Sequence, residues 1–573
     1  MAEFDTIIRG GVIIDGTRLP RFRDDIGIKD GRVAEIGRLK AHEGAHVIDA
    51  DGVIVAPGFI DLHTHYDAQL FWDPYCSISG WHGVTSVVIG NCGFGFAPVR
   101  PDFRERAMLT MTRNEAIPLA SMKAGMPWDW VTYPEFLDSV DRHAKAINIL
   151  PFIPLSPLLV WVMGLDDAKT GRRFTEKEEQ EVRRLVNEAM DMGACGWSLQ
   201  RLGKVSLQPD YDGTPMVTDV MDDENILFFG RLLAERNEGF IQITYAPDFQ
   251  GDGDIEEGLR RLQKRLETFH ESLAEVSDRP ILFNAVAVND KFPQRHRRLL
   301  KWLESCRQRG LKIYGQSATV EEGMAFTFTD FNLWEDVPAW KEATVGNYEA
   351  RLQKLSDVER RPSLRDSSPV LTNDWKDVFI VAVKNPQFKQ YENMNIVEAG
   401  ERMGKHPVDA MLDIAIADGL ETEFYSSALN KDIGGFKELA ASELTIPGVS
   451  DGGAHTKFVA AGMYPTQYLM KVRDHEIMSL EAAHWRLSTQ PALCAGFKDR
   501  GTLREGALAD IVIYDLNKLD VKPMEIAHDF PGGEWRRVRR AEGYRQILVN
   551  GQVTLEDGKP TGSMPGKLLR YGQ

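Results

Sequence analysis

Short apolar runs that alternate with polar residues, each closed by glycine or by an Asp-Gly or Asn-Gly pair, mark both ends of the chain. Thr6–Ile8 passes through Gly10-Gly11 to Val12–Ile14, and Asp25–Ile28 passes through Asp30-Gly31 to Arg32–Ile36. Near the other end, Ala509–Tyr514 is followed by Gln546–Val549, Asn550-Gly551 and Gln552–Leu555. Two alternating runs joined by such a pair predict a β-hairpin. Two β-rich ends around a different middle predict one small β-sandwich domain, built from residues 1–56 and 498–573.

The middle, residues 57–497, changes period. Apolar runs at Val53–Leu62, Val84–Asn91, Asn148–Ile153, Cys195–Leu199, Phe240–Tyr245, Ile281–Val286, Leu311–Gln316 and Leu444–Ser450 predict eight strands. Helical stripes fall between them. Thr175-x-x-Glu178 is a capping box ahead of the stripe Val182, Leu185, Val186 and Ala189, with Gly193 beyond the end. Asp223–Arg236 and Arg297–Arg309 predict further helices, closed by Gly239 and Gly310. Strand–helix alternation implies a parallel sheet, and eight repeats predict a (β/α)8 TIM-like barrel. An open doubly wound sheet would want a glycine-rich phosphate turn after its first strand, and none is present. Residues 318–441 are too long for an ordinary loop. They predict an insertion of helices, either packed on the barrel's flank or lying over its mouth as a lid.

Length and composition narrow the function. The chain has 573 residues, 43% of them hydrophobic, enough for a large core. Its net charge of −17 speaks against nucleic acid and anionic membranes as partners. Cys76, Cys92, Cys195, Cys306 and Cys494 are few, scattered and odd in number, which fits a reducing compartment rather than a disulfide framework. With no signal-like start and no long apolar span, the expectation is a cytoplasmic protein acting on a small molecule. Homo-oligomerisation is left open.

Three motifs carry chemistry. In Pro57-Gly58-Phe59-Ile60-Asp61-Leu62-His63-Thr64-His65, the two histidines stand two apart at a strand's C-terminal end and share a face. Barrel active sites lie at that end, so the pair reads as half of a metal site. Gly90-Asn91-Cys92-Gly93 ends the second strand and offers a thiol as a metal ligand, a nucleophile or inert packing. Ser450-Asp451-Gly452-Gly453-Ala454-His455 follows the eighth strand. Its Asp451 can ligate a metal and take a proton from water, or merely cap a helix. Asp61 and Asp67 flank the histidines as candidates to orient them.

Together with Trp72-Asp73-Pro74, Met126-Pro127-Trp128-Asp129-Trp130 and Gly501-x-Leu503-x-x-Gly506-x-x-Ala509-Asp510-Ile511-Val512, these motifs resemble the N-acyl-D-amino-acid deacylase (D-aminoacylase) branch of the amidohydrolase superfamily, nearly end to end. The resemblance implies two further histidines, one from each of the fifth and sixth strands. Thr244 and Asn284 stand at those registers, and no histidine lies between His143 and His270 or between His270 and His296. Neither residue is a good zinc ligand. The basic residue that the branch uses for the substrate carboxylate is also replaced, by Val286.

The expectation is therefore a single-metal amidohydrolase. His63, His65, Asp451 and Cys92 would hold one divalent ion, zinc before others and one before two, with Asp451 as the catalytic acid–base. Thr244, Tyr245, Asn284, Gln316 and His455 are candidates for meeting the substrate. The alternatives are a lactam or cyclic imide hydrolase or a decarboxylase on the same metal, a metal-free hydrolase with Cys92 as nucleophile, and a diverged binding protein.

Overall fold

The computed structural model describes residues 3–40, 43–204, 206, 208–245, 255–289, 292–321, 323–329, 333–367, 369, 372, 374–427 and 429–572. It is a mixed α/β fold. Phe59–Asp61 (β1), Val84–Ile89 (β2) and Asn148–Pro151 (β3) form a parallel three-stranded sheet. Gly196–Arg201 (β4), Phe240–Tyr245 (β5), Ile281–Val286 (β6), Ile313–Ser317 (β7) and Thr445–Pro447 (β8) continue in the same order in a second parallel sheet. The second sheet opens with Ile153–Pro154, the continuation of β3 beyond Phe152. At this break the Phe152 amide donates to Ile89 and the Cys195 amide to Pro151, so the hydrogen bonding passes from one sheet to the next. At the other end of the series Thr64, just past β1, bridges in parallel to Gly452, just past β8.

The strands bury nearly every side chain, as parallel strands covered by helices must. The helices that matter for the site are Arg104–Glu115 (α1), Leu155–Met163 (α2) and Glu176–Asp191 (α3). Helix α3 carries the expected capping box, with Thr175 accepting from the Glu178 amide and Glu178 reaching back to Thr175. The helix Asp223–Arg236 matches its expected bounds, and Arg295–Gln308 falls close to them.

Both chain ends join in a nine-stranded sheet, in which Ile54–Pro57 pairs with Ile511–Tyr514 and with the N-terminal strand. Three expectations need correction. Gly10-Gly11 is not a turn. Phe4–Ile13 is one strand whose register slips between Ile8 and Gly11, because Gly10 at φ +70 makes a bulge rather than a reversal. The run Val53–Leu62 is not one strand either. Pro57-Gly58 splits it, the first half going to the terminal sheet and the second becoming β1. At Gly58 an added Cβ would lie 2.3 Å from the Thr85 side chain, so only glycine lets the chain cross there. Finally, the 318–441 segment is not helices alone. Gly323–Phe326, Val378–Ala382 and Glu423–Ser427 form an antiparallel sheet, which covers an aromatic core of Phe326, Phe328, Trp334, Trp340 and Phe424. The helix Ile433–Ala441, at the end of that segment, packs Phe436 and Leu439 into the larger core instead.

Candidate active site

The chain leaves β1 at Asp61, whose Oδ1 accepts from the His63 amide at 3.1 Å. Thr64 turns back to donate to the Val88 carbonyl, so His63 and His65 face the interior on either side of it. Both rings are buried. The Asn91-Cys92-Gly93 turn follows β2, and the Gly90 amide donates to Asp67 Oδ2 at 3.2 Å. Asp67 thus braces the Cys92 turn, while Asp61 holds the His63 backbone; neither touches an imidazole as expected of an orienting partner. The loop after β8 is fixed by Ser450 donating to the His63 carbonyl at 3.0 Å and by the His65 amide donating to Gly452 at 2.7 Å.

These constraints bring three of the expected ligands into one cluster, with Asp451 beside its two imidazoles. His63, His65 and Cys92 each place one donor atom within 4.8 Å of the others. Asp451 Oδ1 stands 3.2 Å from His63 Nε2 and 3.7 Å from His65 Nε2, and Cys92 Sγ lies 3.4 Å from His63 Nε2. Cys92 (φ +55), Asp451 (φ +46) and His455 (φ +49) all adopt left-handed backbone. This conformation costs non-glycine residues roughly 1–2 kcal/mol each and gathers at functional sites.

Hydrogen bonds decide which atoms are free. His63 Nδ1 lies 3.0 Å from Gln316 Oε1, an acceptor, so Nδ1 carries a proton and Nε2 faces Asp451 and Cys92. Thr244 Oγ1 accepts from Gln242 Nε2 at 3.1 Å and from Asn284 Nδ2 at 3.0 Å. With both lone pairs used, its own proton goes to Cys92 Sγ at 3.3 Å. The Cys92 amide in turn donates to Gln242 Oε1 at 2.7 Å.

The electrostatics follow. Burial opposes ionisation of Asp451, yet the His63 hydrogen bond and the charges of His63, His455 and His65 hold it well below the usual carboxylate range. Burial likewise opposes a charge on His63, but Cys92 and Asp451 outweigh it and push that imidazole well up, so without an ion Nε2 carries a proton towards Asp451 that a bound metal would displace. Burial dominates at His65 and lowers it to about 3, leaving a neutral ring with one nitrogen lone pair to offer. Burial raises Asp61 and Asp67 to about 7 each.

The Asp451 carboxylate and the Cys92 sulfur both approach His63 Nε2, at 3.2 and 3.4 Å, a place that a protonated imidazole or a bound cation can fill. Donors held at zinc distances of about 2.0–2.3 Å in a tetrahedron stand roughly 3.3–3.7 Å apart, close to the spacings of His63 from Asp451, His65 from Asp451 and His63 from Cys92. The donor set therefore fits a divalent ion such as zinc.

Other candidates divide. Gln316 holds His63, whereas Thr244 and Asn284 join a network against Cys92. Tyr245, one residue on from Thr244, points to the opposite face of β5 and stacks on Phe269 at 4.5 Å, away from the cluster. His455 lies beside Glu115, with Nε2 to Oε2 at 3.7 Å. Sequence reasoning missed Gln242 and Glu115. Gln242 shares the face of Thr244 by strand alternation and was open to discovery; Glu115, at a helix end, carries no such signal. An apolar cavity of about 80 Å³ between α1 and α2, lined by Phe94, Phe103, Ala107, Met111 and Val160, adjoins the cluster through Phe94. The Phe94 ring stands 6.0 Å from that of His65.

A model described as "Amidohydrolase family" matches residues 46–194 and 379–555. D-aminoacylase of Alcaligenes xylosoxydans xylosoxydans is 25% identical over 569 residues, covering 99% of this chain and 97% of its own. Among solved structures, D-aminoacylase superposes with a TM-score of 0.66 at 22% identity, over 99% of this chain and 100% of the other. N-acyl-D-glutamate deacylase from Bordetella bronchiseptica, complexed with zinc and a phosphonate inhibitor that mimics the reaction's tetrahedral intermediate, gives 0.65 at 23% identity with the same coverage.

Proposed function

The chain belongs to the amidohydrolase family, a hydrolase acting on carbon–nitrogen bonds other than peptide bonds, and we propose that it cleaves an acyl amide in a small molecule at a single-metal site. The supporting observation is the approach of Asp451 Oδ1 and Cys92 Sγ to Nε2 of His63. We take the eight parallel strands to close as a (β/α)8 barrel through the Thr64–Gly452 bridge, with residues 1–56 and 498–573 as the composite β domain. His63, His65 and Asp451 would hold the ion, with Cys92 as a further ligand. When bound, that ion polarises the scissile carbonyl and acidifies water.

The protein's own groups do the rest. Asp451, kept ionised by its imidazole neighbours, accepts the proton of the attacking water and returns it to the departing nitrogen as the carbon–nitrogen bond breaks. Gln316 keeps His63 in the tautomer whose Nε2 can ligate. The Gln242–Thr244–Asn284 network occupies the register of the two replaced histidines and offers amide and hydroxyl groups in their place, which favours one ion over two. Phe94 and the cavity behind it favour an apolar acyl group.

A second reading makes Cys92 a nucleophile with His63 as base, on the strength of their 3.4 Å approach. Hydrolysis of N-acyl amino acids of graded acyl length, with and without chelation, tests the choice. Activity abolished by chelation and restored by zinc is expected. Activity that survives chelation but is lost in Cys92→Ser supports the nucleophile instead.

A further inference from the structure

The apolar cavity beside the cluster is built wholly from segments that follow three consecutive strands. Residues 94–111 follow β2, 156–165 follow β3 and its continuation, and 210–217 follow β4. Parallel sheets flanked by helices bind their ligands beyond the C-terminal ends of the strands, where these segments lie. The first of them also carries Cys92, two residues ahead of Phe94. Phe94 serves both spaces: it lines the cavity, and its ring centroid stands 6.0 Å from that of His65.

The polar groups of the walls are already engaged. The Arg106 guanidinium pairs with Asp210, and Thr110 donates to the same carboxylate at 2.7 Å. Arg100 donates to the Trp161 carbonyl at 3.1 Å and lies over that indole. The Ser156 hydroxyl is 3.4 Å from that of Thr218. What remains to meet a ligand is hydrocarbon and aromatic surface, from Phe94, Phe103, Ala107, Met111 and Val160. The bridges to Asp210 also tie the third segment to α1, so the space is preformed. Its volume is about 80 Å³. At about 10–15 Å³ for each water-sized group, that is room for about six methylenes.

We propose that this cavity is the acyl subsite of the enzyme and that the substrate carries an unbranched acyl chain of about eight carbons. The carbonyl lies at the cluster of His63, Cys92 and Asp451, the chain passes along the Phe94 ring, and its outer carbons fill the space between α1 and α2. Ala107 on α1 and Val160 on α2, small side chains at the wall, set the length that fits. The amine half of an N-acyl amino acid bears a carboxylate, which an apolar wall cannot solvate, so the acyl half is the one that enters.

The assignment rests on the amide-hydrolase reading, and its test separates the two. Calorimetry of straight-chain carboxylates, acetate to decanoate, with the zinc-loaded chain needs no turnover, because these are the acyl halves that the reaction would release. Affinity should rise about threefold to fourfold per methylene up to about octanoate and then level. Ala107→Leu and Val160→Phe, which fill the space from opposite helices, should each flatten the rise, and either serves if the other does not fold. On N-acyl amino acids, kcat/KM should follow the same order of chain length. A flat series in binding, or in hydrolysis where it occurs, overturns the subsite. So does a rise that survives both variants, or faster cleavage of N-octylacetamide than of octanoyl amino acids. The expected rise in binding, lost in the variants, with no hydrolysis anywhere in the panel upholds the subsite and sinks the amide-hydrolase reading alone.

Discussion

At the scale of single residues, the candidate site is a set of proton assignments forced by neighbours. Gln316 fixes where His63 carries its proton, so Gln316→Leu should weaken metal affinity about 10- to 100-fold while leaving the ligands in place, as read by competition with a chelating dye. Thr244 and Asn284 make the stronger case. If they are why a second ion has no home, the pair Thr244→His and Asn284→His should raise metal content from one ion per chain to two by elemental analysis. A double variant that still holds one ion would mean that something other than these side chains sets the count. The candidate ligands are legible in the sequence because His-x-His at a strand end and Ser-Asp-Gly after a late strand are local patterns. Glu115 is not. Its meeting with His455 joins residues 340 positions apart, and only tertiary structure brings the end of α1 to the loop after β8.

At the scale of elements, the loop 451–458 is the part on which the chemistry depends. Gly453 sits at φ +85 against the segment after β1, where a Cβ would lie 2.8 Å from the His65 carbonyl oxygen and 2.7 Å from the Tyr66 ring. Gly453→Ala should therefore displace Asp451 and lower kcat and metal content together, while a circular dichroism spectrum stays native. The capping box of α3 is a control far from the site. Hydrogen bonding to Arg172 comes first in lowering Glu178 to about 2. Because the folded value lies below the ordinary one, the stability that Glu178 contributes is present above about pH 4.5 and is lost as pH falls towards 2. Thr175→Ala should cost about 1 kcal/mol of stability in urea titrations at pH 7, without touching metal content. Helix caps and strand runs read well from sequence for the same reason that they form: their signals are nearest neighbours. The crossing at Pro57-Gly58 did not, because an unbroken apolar run says nothing about which of two sheets each half will join.

At the scale of the whole molecule, the C-terminal segment reaches the site from outside. The hairpin Glu525–Phe530 and Glu534–Val538 holds the loop through the Arg537 amide donating to Thr456 and the Arg537 guanidinium to Lys457. The 318–441 segment meets the same loop where the Ala325 amide donates to Phe458 at 3.0 Å, and its aromatic core includes Phe458 and Ala116. Arg536, buried in that hairpin, donates to Ser77 and pairs with Asp529; Arg536→Ala should destabilise the chain by about 3 kcal/mol, seen as a lower Tm. The central claim, however, is that His63, His65, Cys92 and Asp451 share one divalent ion. Elemental analysis of the metal-replete chain beside His63→Ala and Asp451→Asn tests it most directly. One ion per wild-type chain, lost in His63→Ala and weakened in Asp451→Asn with the fold intact, is the outcome expected. A metal-free wild type that still hydrolyses amides, or an ion retained undiminished in both variants, would contradict it.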